Sequence, residues 1–144
     1  MQYSGKFDVT ASPEEVFEFA VNLHKVASIV PDLVDYQVVE ENKVRIRSKA
    51  GVSFIRGIFT LNLDVKERVP FSRVIIRGIG SGAGASISFT VEFTIDTIPE
   101  GSTVAWNMDL TVAGVAATLG SRMINNAVQK YVDELVASFE KALA

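Results

Sequence analysis

The chain is 144 residues long with 48% hydrophobic and 22% charged side chains, the make-up of one soluble domain that buries about two-thirds of its unfolded surface. A net charge of -3 and a pI near 5.2 exclude bulk attraction to polyanions, and the absence of cysteine excludes disulfides, thiolate nucleophiles, iron-sulfur clusters and cysteine-based zinc sites. No stretch approaches the ~18 apolar residues of a bilayer crossing, and Met1-Gln2-Tyr3-Ser4-Gly5 lacks the basic start of a secretory signal, so a cytoplasmic protein is expected.

In chain order, residues 3–10 alternate as a first strand. Ser12-Pro13-Glu14-Glu15 then opens a helix, with Ser12 as N-cap, Pro13 at the first helical position and Glu15 closing a capping box ahead of Val16, Phe17, Ala20 and Leu23. A second short helix, about Lys25 to Ile29, ends before Pro31, because the residue preceding a proline is pushed out of the α region. From Leu33 the hydrophobic period becomes two. Residues 34–40 and 43–50 read as a hairpin around Glu41-Asn42, 52–65 as a long strand, and 72–80 as a strand running into Gly80-Ser81-Gly82-Ala83-Gly84. Ile87 to Ile95 and Val104 to Val112 alternate strictly with polar residues, the mark of an antiparallel sheet wetted on one face.

After the small residues Ala113 to Ala117, the remainder to Leu143 reads as one amphipathic helix, about 37 Å long from Leu119. A sheet curved around that helix buries both apolar faces, which makes the fold class α+β. The inward side chains are then Phe59, Leu61, Ile76, Phe89, Val91, Trp106, Met108 and Leu110 from the strands, met by Met123, Ile124, Ala127, Val128 and Tyr131 of the helix. Either these fill a core or they line a pocket for an apolar molecule. Small residues at Ala127 and from Gly114 to Ala117 leave room, and methionine walls adapt to what they enclose.

The charge is unevenly spread. Between Lys43 and Arg77 stand nine basic and two acidic residues, a local balance of +7 against -10 elsewhere. With odd positions of the long strand inward, Arg56 points outward beside Phe54 and Ile58, on the same side as Lys43, Arg45, Arg47, Lys49, Arg73, Ile75, Arg77 and Ile79. Such a surface either docks an acidic protein face or anionic headgroups, or is neutralised by cross-strand pairs with Glu92, Asp96 and Asp109. Nucleic acid is not expected there, since only Phe54 offers an aromatic stacking platform.

Catalytic groups are not expected. His24, the sole histidine, has no neighbouring carboxylate in sequence, Glu14-Glu15 belong to a helix start, and Asp133-Glu134 to a solvated helix face. No metal-ligand spacing is present. The glycine-rich 80–84 segment opens no helix and lacks a following Lys-Ser/Thr, so it reads as a strand connection and not a phosphate loop.

The order strand, two short helices, six antiparallel strands, long helix, with Ser12-Pro13-Glu14-Glu15-Val16-Phe17 after the first strand, resembles the START/Bet v 1-like (SRPBCC) superfamily. Its helix-grip fold holds apolar ligands between sheet and helix. Tyr3-Ser4-Gly5-Lys6-Phe7, Ile29-Val30-Pro31, Gly57-Ile58-Phe59, Gly78-Ile79-Gly80-Ser81-Gly82 and above all Gly114-Val115-Ala116-Ala117-Thr118-Leu119-Gly120-Ser121-Arg122-Met123-Ile124 are similar to the CoxG family of carbon monoxide dehydrogenase subunits from end to end. The chain departs from that family at Asp32, where glycine is usual, and in ending at Ala144 without the membrane tail of some relatives. The resemblance implies a non-enzymatic accessory protein, without a cofactor of its own. Its implied client is a molybdenum-type carbon monoxide dehydrogenase or related molybdenum hydroxylase, and its implied ligand a quinone or lipid. Peripheral contact with the inner face of the cell membrane is a further expectation. A cyclase- or isomerase-like enzyme of the same fold, or a general carrier of hydrophobic ligands, is the alternative, and an enzyme would need polar groups such as Tyr131 inside.

Overall fold

A computed structural model describes residues 1–52 and 55–144. Strand β1 (Gln2–Val9) leads into helices α1 (Pro13–Val21) and α2 (Leu23–Ser28). The strands β2 (Leu33–Glu40), β3 (Lys43–Val52), β4 (Ile55–Val69), β5 (Arg73–Gly82), β6 (Ala85–Ile98) and β7 (Gly101–Gly114) follow. A 3-10 turn (Val115–Leu119) then introduces helix α3 (Ser121–Leu143). All seven strands pair antiparallel in one curved sheet, in the order β1-β7-β6-β5-β4-β3-β2. Register shifts in β2 and at Val65/Glu67 of β4 mark bulges, which bend a strand and increase its twist.

Local chemistry sets the helix starts. The Ser12 hydroxyl accepts from the Glu15 amide at 3.2 Å while the Glu15 carboxylate accepts from the Ser12 amide at 3.5 Å, so two otherwise orphaned donors are satisfied. Helix α2 begins two residues earlier than its expected start at Lys25, because the Asn22 side-chain oxygen caps the amides of His24 and Lys25.

Three other boundaries differ from expectation. Strand β5 runs past Gly80 to Gly82 and turns into β6 through Ala83-Gly84, whose φ values of 52° and 77° suit a two-residue hairpin of the primed type. Strand β4 extends to Val69, since its pairing with β5 continues beyond the bulge to Val69 opposite Arg73. The closing helix is interrupted: Gly120 has φ +84°, a left-handed value that ends the 3-10 turn and lets α3 start at Ser121. Leu119 therefore does not belong to the α3 stripe, and it packs instead on the small cluster of Ile55, Ala85 and Ala116.

The core is densest where α1 and α2 cover the sheet. Val44, Ile46, Val74, Ile76, Ile95 and Val104 are buried beneath Val16, Phe17, Phe19, Ala20, Leu23 and Ala27. Phe139 of α3 seals that end, with ring centroids 5.6 Å from Phe7, 5.0 Å from Phe19 and 6.0 Å from Phe93. A backbone bond from the Ala11 amide to the Leu143 carbonyl (3.1 Å) pins the C-terminal end of α3 to the junction of β1 and α1. Nearer its start, Asn125 accepts a hydrogen bond from the Tyr3 hydroxyl at 2.6 Å.

Candidate functional site

The inner face of the sheet changes character along its length. Towards α1 and α2 it is closed, but towards the β5-β6 hairpin its apolar side chains are only half covered. Of the residues expected to line an interior pocket, Ile76, Trp106, Leu110 and Ile124 are buried, while Phe59, Leu61, Phe89, Val91, Met108, Ala127, Val128 and Tyr131 are half-buried. Met123, in the first turn of α3, stands 43% exposed, outside the enclosed group.

A row of missing side chains lies in the middle of this region. Gly78, Gly80 and Gly82 occupy successive inward positions of β5, and side chains from the flanking strands lie down over them. A Cβ placed at Gly78 would sit 2.3 Å from Phe89 Cζ and one at Gly80 3.0 Å from Leu61 Cδ1, while one at Gly82 would meet the Ile58 carbonyl oxygen of β4 at 2.7 Å before Phe59 Cγ at 2.9 Å. Opposite, the α3 backbone comes closest to β1 and β3 near the two rims of the sheet, and to the 3-10 turn before it. Two open clefts, of about 310 and 490 Å³, lie between α3 and the β1 side of the sheet and share Ala137 and Glu140 in their walls; Trp106, one of the expected lining residues, reaches the smaller of them.

Polar groups are scarce in the interior. Among the described residues the buried polar side chains are Ser48 and Ser102. Ser102 is accounted for, since its hydroxyl donates to the Ala11 carbonyl at 2.8 Å. Ser48, 5% exposed, takes an inward position of β3 with Leu33 and Phe59 as its register partners. Burial pushes the Tyr131 phenol above its ordinary pKa; the neighbouring Ser48 hydroxyl opposes this, and the carboxylates of Asp32 and Glu134 reinforce it. Asp32 is placed by its backbone, with φ 53° in the left-handed region that glycine adopts freely, and its carbonyl accepts from the Lys49 amide at 3.0 Å. Ser48 is absent from the expected lining because tracing apolar residues passes over it; the period-two series Val44, Ile46, Ser48 carries the signal that finds it.

The groups weighed for catalysis lie elsewhere. His24 is exposed, with Nδ1 3.3 Å from the Tyr36 hydroxyl, and Glu15 is engaged in the α1 cap. No cluster of three His, Asp or Glu able to hold a metal ion occurs among the described residues.

The outer face carries the expected arginines, partly neutralised. Arg47 forms a two-pronged pair with Asp35, its Nε 2.8 Å from Oδ1, which holds the carboxyl below its usual range. Arg73 pairs with Glu67 at 2.8 Å and lies 3.9 Å from Glu92. Of the three acids expected to neutralise this face, Glu92 alone forms such a pair among the described residues; Asp35, Glu67 and, for Lys43 at 3.9 Å, Glu40 supply others. Among the described residues Arg45 donates to the neutral Asn62 side chain (3.3 Å), and Arg77 stands opposite Asp64, whose carboxylate is 3.7 Å from Lys66. Arg56 is exposed on the same face. Ile58, opposite Lys49, and Ile79, opposite Asn62, are 47% and 51% exposed. Phe54, expected beside them, lies outside the described residues. Among the described residues no helix is long and apolar enough to cross a membrane.

Comparison with solved structures places this fold firmly. A conserved protein from Geobacillus kaustophilus superposes with a TM-score of 0.88 at 14% identity, covering 99% of this chain and 95% of that one. A START superfamily protein from Mycobacterium smegmatis gives 0.73 at 12% identity, covering 99% and 96%. The Zhui aromatase/cyclase from Streptomyces sp. R1128 gives 0.70 at 13% identity, covering 99% and 93%. At such identities the likeness is one of fold, a START-like sheet gripping a helix. No curated protein matches the sequence. The family model for the CoxG subunit of carbon monoxide dehydrogenase matches residues 5–144, and the chain belongs to the CoxG family.

Proposed function

We propose that this protein is a non-enzymatic accessory factor of a molybdenum-type carbon monoxide dehydrogenase or related hydroxylase, and that it holds an apolar molecule, a quinone or a lipid tail, between β5 and α3. The observation that carries this reading is the glycine row Gly78-Gly80-Gly82 beneath half-covered Phe59, Leu61 and Phe89. A sheet that needed only a packed core would place branched side chains at those three positions, as it does at Val74 and Ile76 of the same strand. Phe59 and Phe89 lying across glycines can swing aside at the cost of rotamer changes alone, and an apolar guest replaces the contacts they lose. The non-enzymatic reading is supported by the interior polar groups, two serine hydroxyls and one phenol, with no buried carboxylate or imidazole among the described residues.

The test is extraction. Protein purified from its own host without detergent, extracted with organic solvent and examined by mass spectrometry, is expected to yield one apolar species near one equivalent per chain. Ala127→Phe, which enlarges a half-buried α3 residue, is expected to lose that species while remaining folded. An extract of the wild-type protein free of any bound molecule would overturn the reading.

The outer face serves the second half of the proposal. Arg45, Arg77 and Lys49, with Ile58 and Ile79 among them, combine cations that form no salt bridge among the described residues with exposed apolar surface, a composition suited to docking on an acidic surface of the client enzyme.

A further inference from the structure

The two edges of the sheet are built differently. At one edge β2 is interrupted by two register shifts and carries the Asp35-Arg47 pair, devices that keep an edge strand from recruiting another. At the other edge β1 pairs with β7 in unbroken register, from Gln2 opposite Asp109 to Val9 opposite Ser102. Among the described residues no backbone hydrogen bond joins Gln2–Val9 to any element but β7, so the amides and carbonyls that β1 turns away from β7 are left open.

The two clefts beside α3 follow this open edge. One is lined by Ser4, Gly5 and Lys6 and the other by Asp8, Val9 and Thr10, with α3 between Gln129 and Ala144 as the facing wall. From Ser4 to Thr10 a strand covers about 20 Å, and from Gln129 to Ala144 a helix covers about 22 Å. The walls therefore match in length and form a trough for an extended segment of about six residues.

The floor of the trough supplies a hydrogen-bond donor. Trp106 is 9% exposed and lies over Gly5, where a Cβ would stand 2.9 Å from indole Cζ2 and 3.0 Å from Nε1. A larger residue at position 5 would displace the ring, so the glycine is what brings the indole to this edge. Its N-H has no hydrogen-bond partner among the described residues and is not sealed from solvent; a peptide carbonyl in the trough would satisfy it. The rim sets the charge of the occupant. Asp8, Glu100, Asp133 and Glu140 stand against Lys6 and Lys141, while Val136 and Ala137 give the helix wall an apolar strip. This suits a chain that alternates basic and apolar side chains and repels an acidic one.

We propose that the β1-α3 trough is a docking site for an extended, basic segment of a partner protein, which adds to the free edge of β1 as a further strand. The site is separate from the outer face, and it stands whether or not an apolar guest is held against the glycine row.

Trp106 is the sole tryptophan of the chain, so its fluorescence reports on the trough. Titrating the purified full chain with acetyl-Lys-Val-Lys-Val-Lys-Val-amide is expected to give a saturable blue shift, because the added strand excludes water from the indole. The counterpart with glutamate in place of each lysine is expected to bind at least about 10-fold more weakly at low salt, the gap narrowing as ionic strength rises. Hydrogen exchange of those β1 amides that do not bond to β7 is expected to slow about 10-fold or more when the lysine peptide is bound, a backbone effect that charge attraction alone does not produce. Ala137→Arg, at an exposed helix position shared by both clefts, is expected to weaken the lysine peptide about 10-fold or more. No emission change, equal binding of the two peptides, unaltered exchange in β1, or binding indifferent to Ala137→Arg would each overturn the docking site. A chain that sediments as a dimer and takes no peptide would overturn it too, giving the β1 edge to a second copy.

Discussion

Tyr131 carries its phenol into a place where an anion is poorly tolerated, and this has a measurable consequence for stability. Above about pH 10 the unfolded chain loses the phenolic proton, whereas the folded chain keeps it because burial raises the pKa. The folded state then binds more protons than the unfolded one, so stability present below that pH falls as pH rises towards the folded-state value. Urea unfolding between about pH 9 and 11 is expected to show a decline that Tyr131→Phe lessens. An identical slope in the variant would show that the decline comes from other groups. The same residue illustrates how unequal single side chains are here: Arg47, held by Asp35 on the outer surface, is exposed and its pair is open to salt screening.

Helix α1 is the element whose formation is most plainly local. Pro13 sets the backbone angle of the first turn, Glu14 and Glu15 face the positive end of the helix dipole, and Ser12 closes the box with Glu15. Its buried face, Val16, Phe17, Phe19 and Ala20, then covers the closed end of the sheet. Ser12→Ala removes the cap and is expected to lower stability by about 1 kcal/mol, read as a lower urea midpoint with an unchanged slope. Helix α3 contrasts with it. Its start has no side-chain cap, Gly120 precedes it in a left-handed conformation, and its position depends on distant partners, the Leu143 carbonyl bonded to Ala11 and Asn125 bonded to Tyr3. An element held towards both ends by tertiary bonds can span a hollow, because its position does not require a continuous packed floor beneath it.

Across the whole molecule two surfaces of opposite character are separated by a single sheet. The inner face offers apolar side chains and three glycines, and the outer face offers Arg45, Arg56 and Arg77 around Ile58 and Ile79. The guest and the partner proposed above would therefore use opposite sides of one layer, without competition for the same residues. Replacing Arg45 and Arg77 together by glutamate is expected to weaken binding to the client enzyme proposed above, a carbon monoxide dehydrogenase, by about 10-fold or more at low salt, with the difference shrinking as ionic strength rises. Binding measured by interferometry that is unchanged by the double variant at every salt concentration would exclude this face as the docking surface.

The sequence by itself determined what depends on neighbours a few residues apart. The Ser12 cap, the period-two strands, the amphipathic stripe of α3 and the inward side of β4 and β6 were legible because helix and strand periodicities are local properties of the chain. Gly120 was visible as a residue but not as a break, since a positive φ is chosen by the packing of the 3-10 turn on Ile55 and Ala85. Only the tertiary structure decided that Arg47 pairs with Asp35 and Arg73 with Glu67 and Glu92, that Phe89, Leu61 and Phe59 lie over glycines, and that Ser48 is buried on the inner face. These contacts depend on strand order, on a bulge, and on how closely one helix approaches a curved sheet, quantities set by the packing of the whole chain and written in no short segment of it.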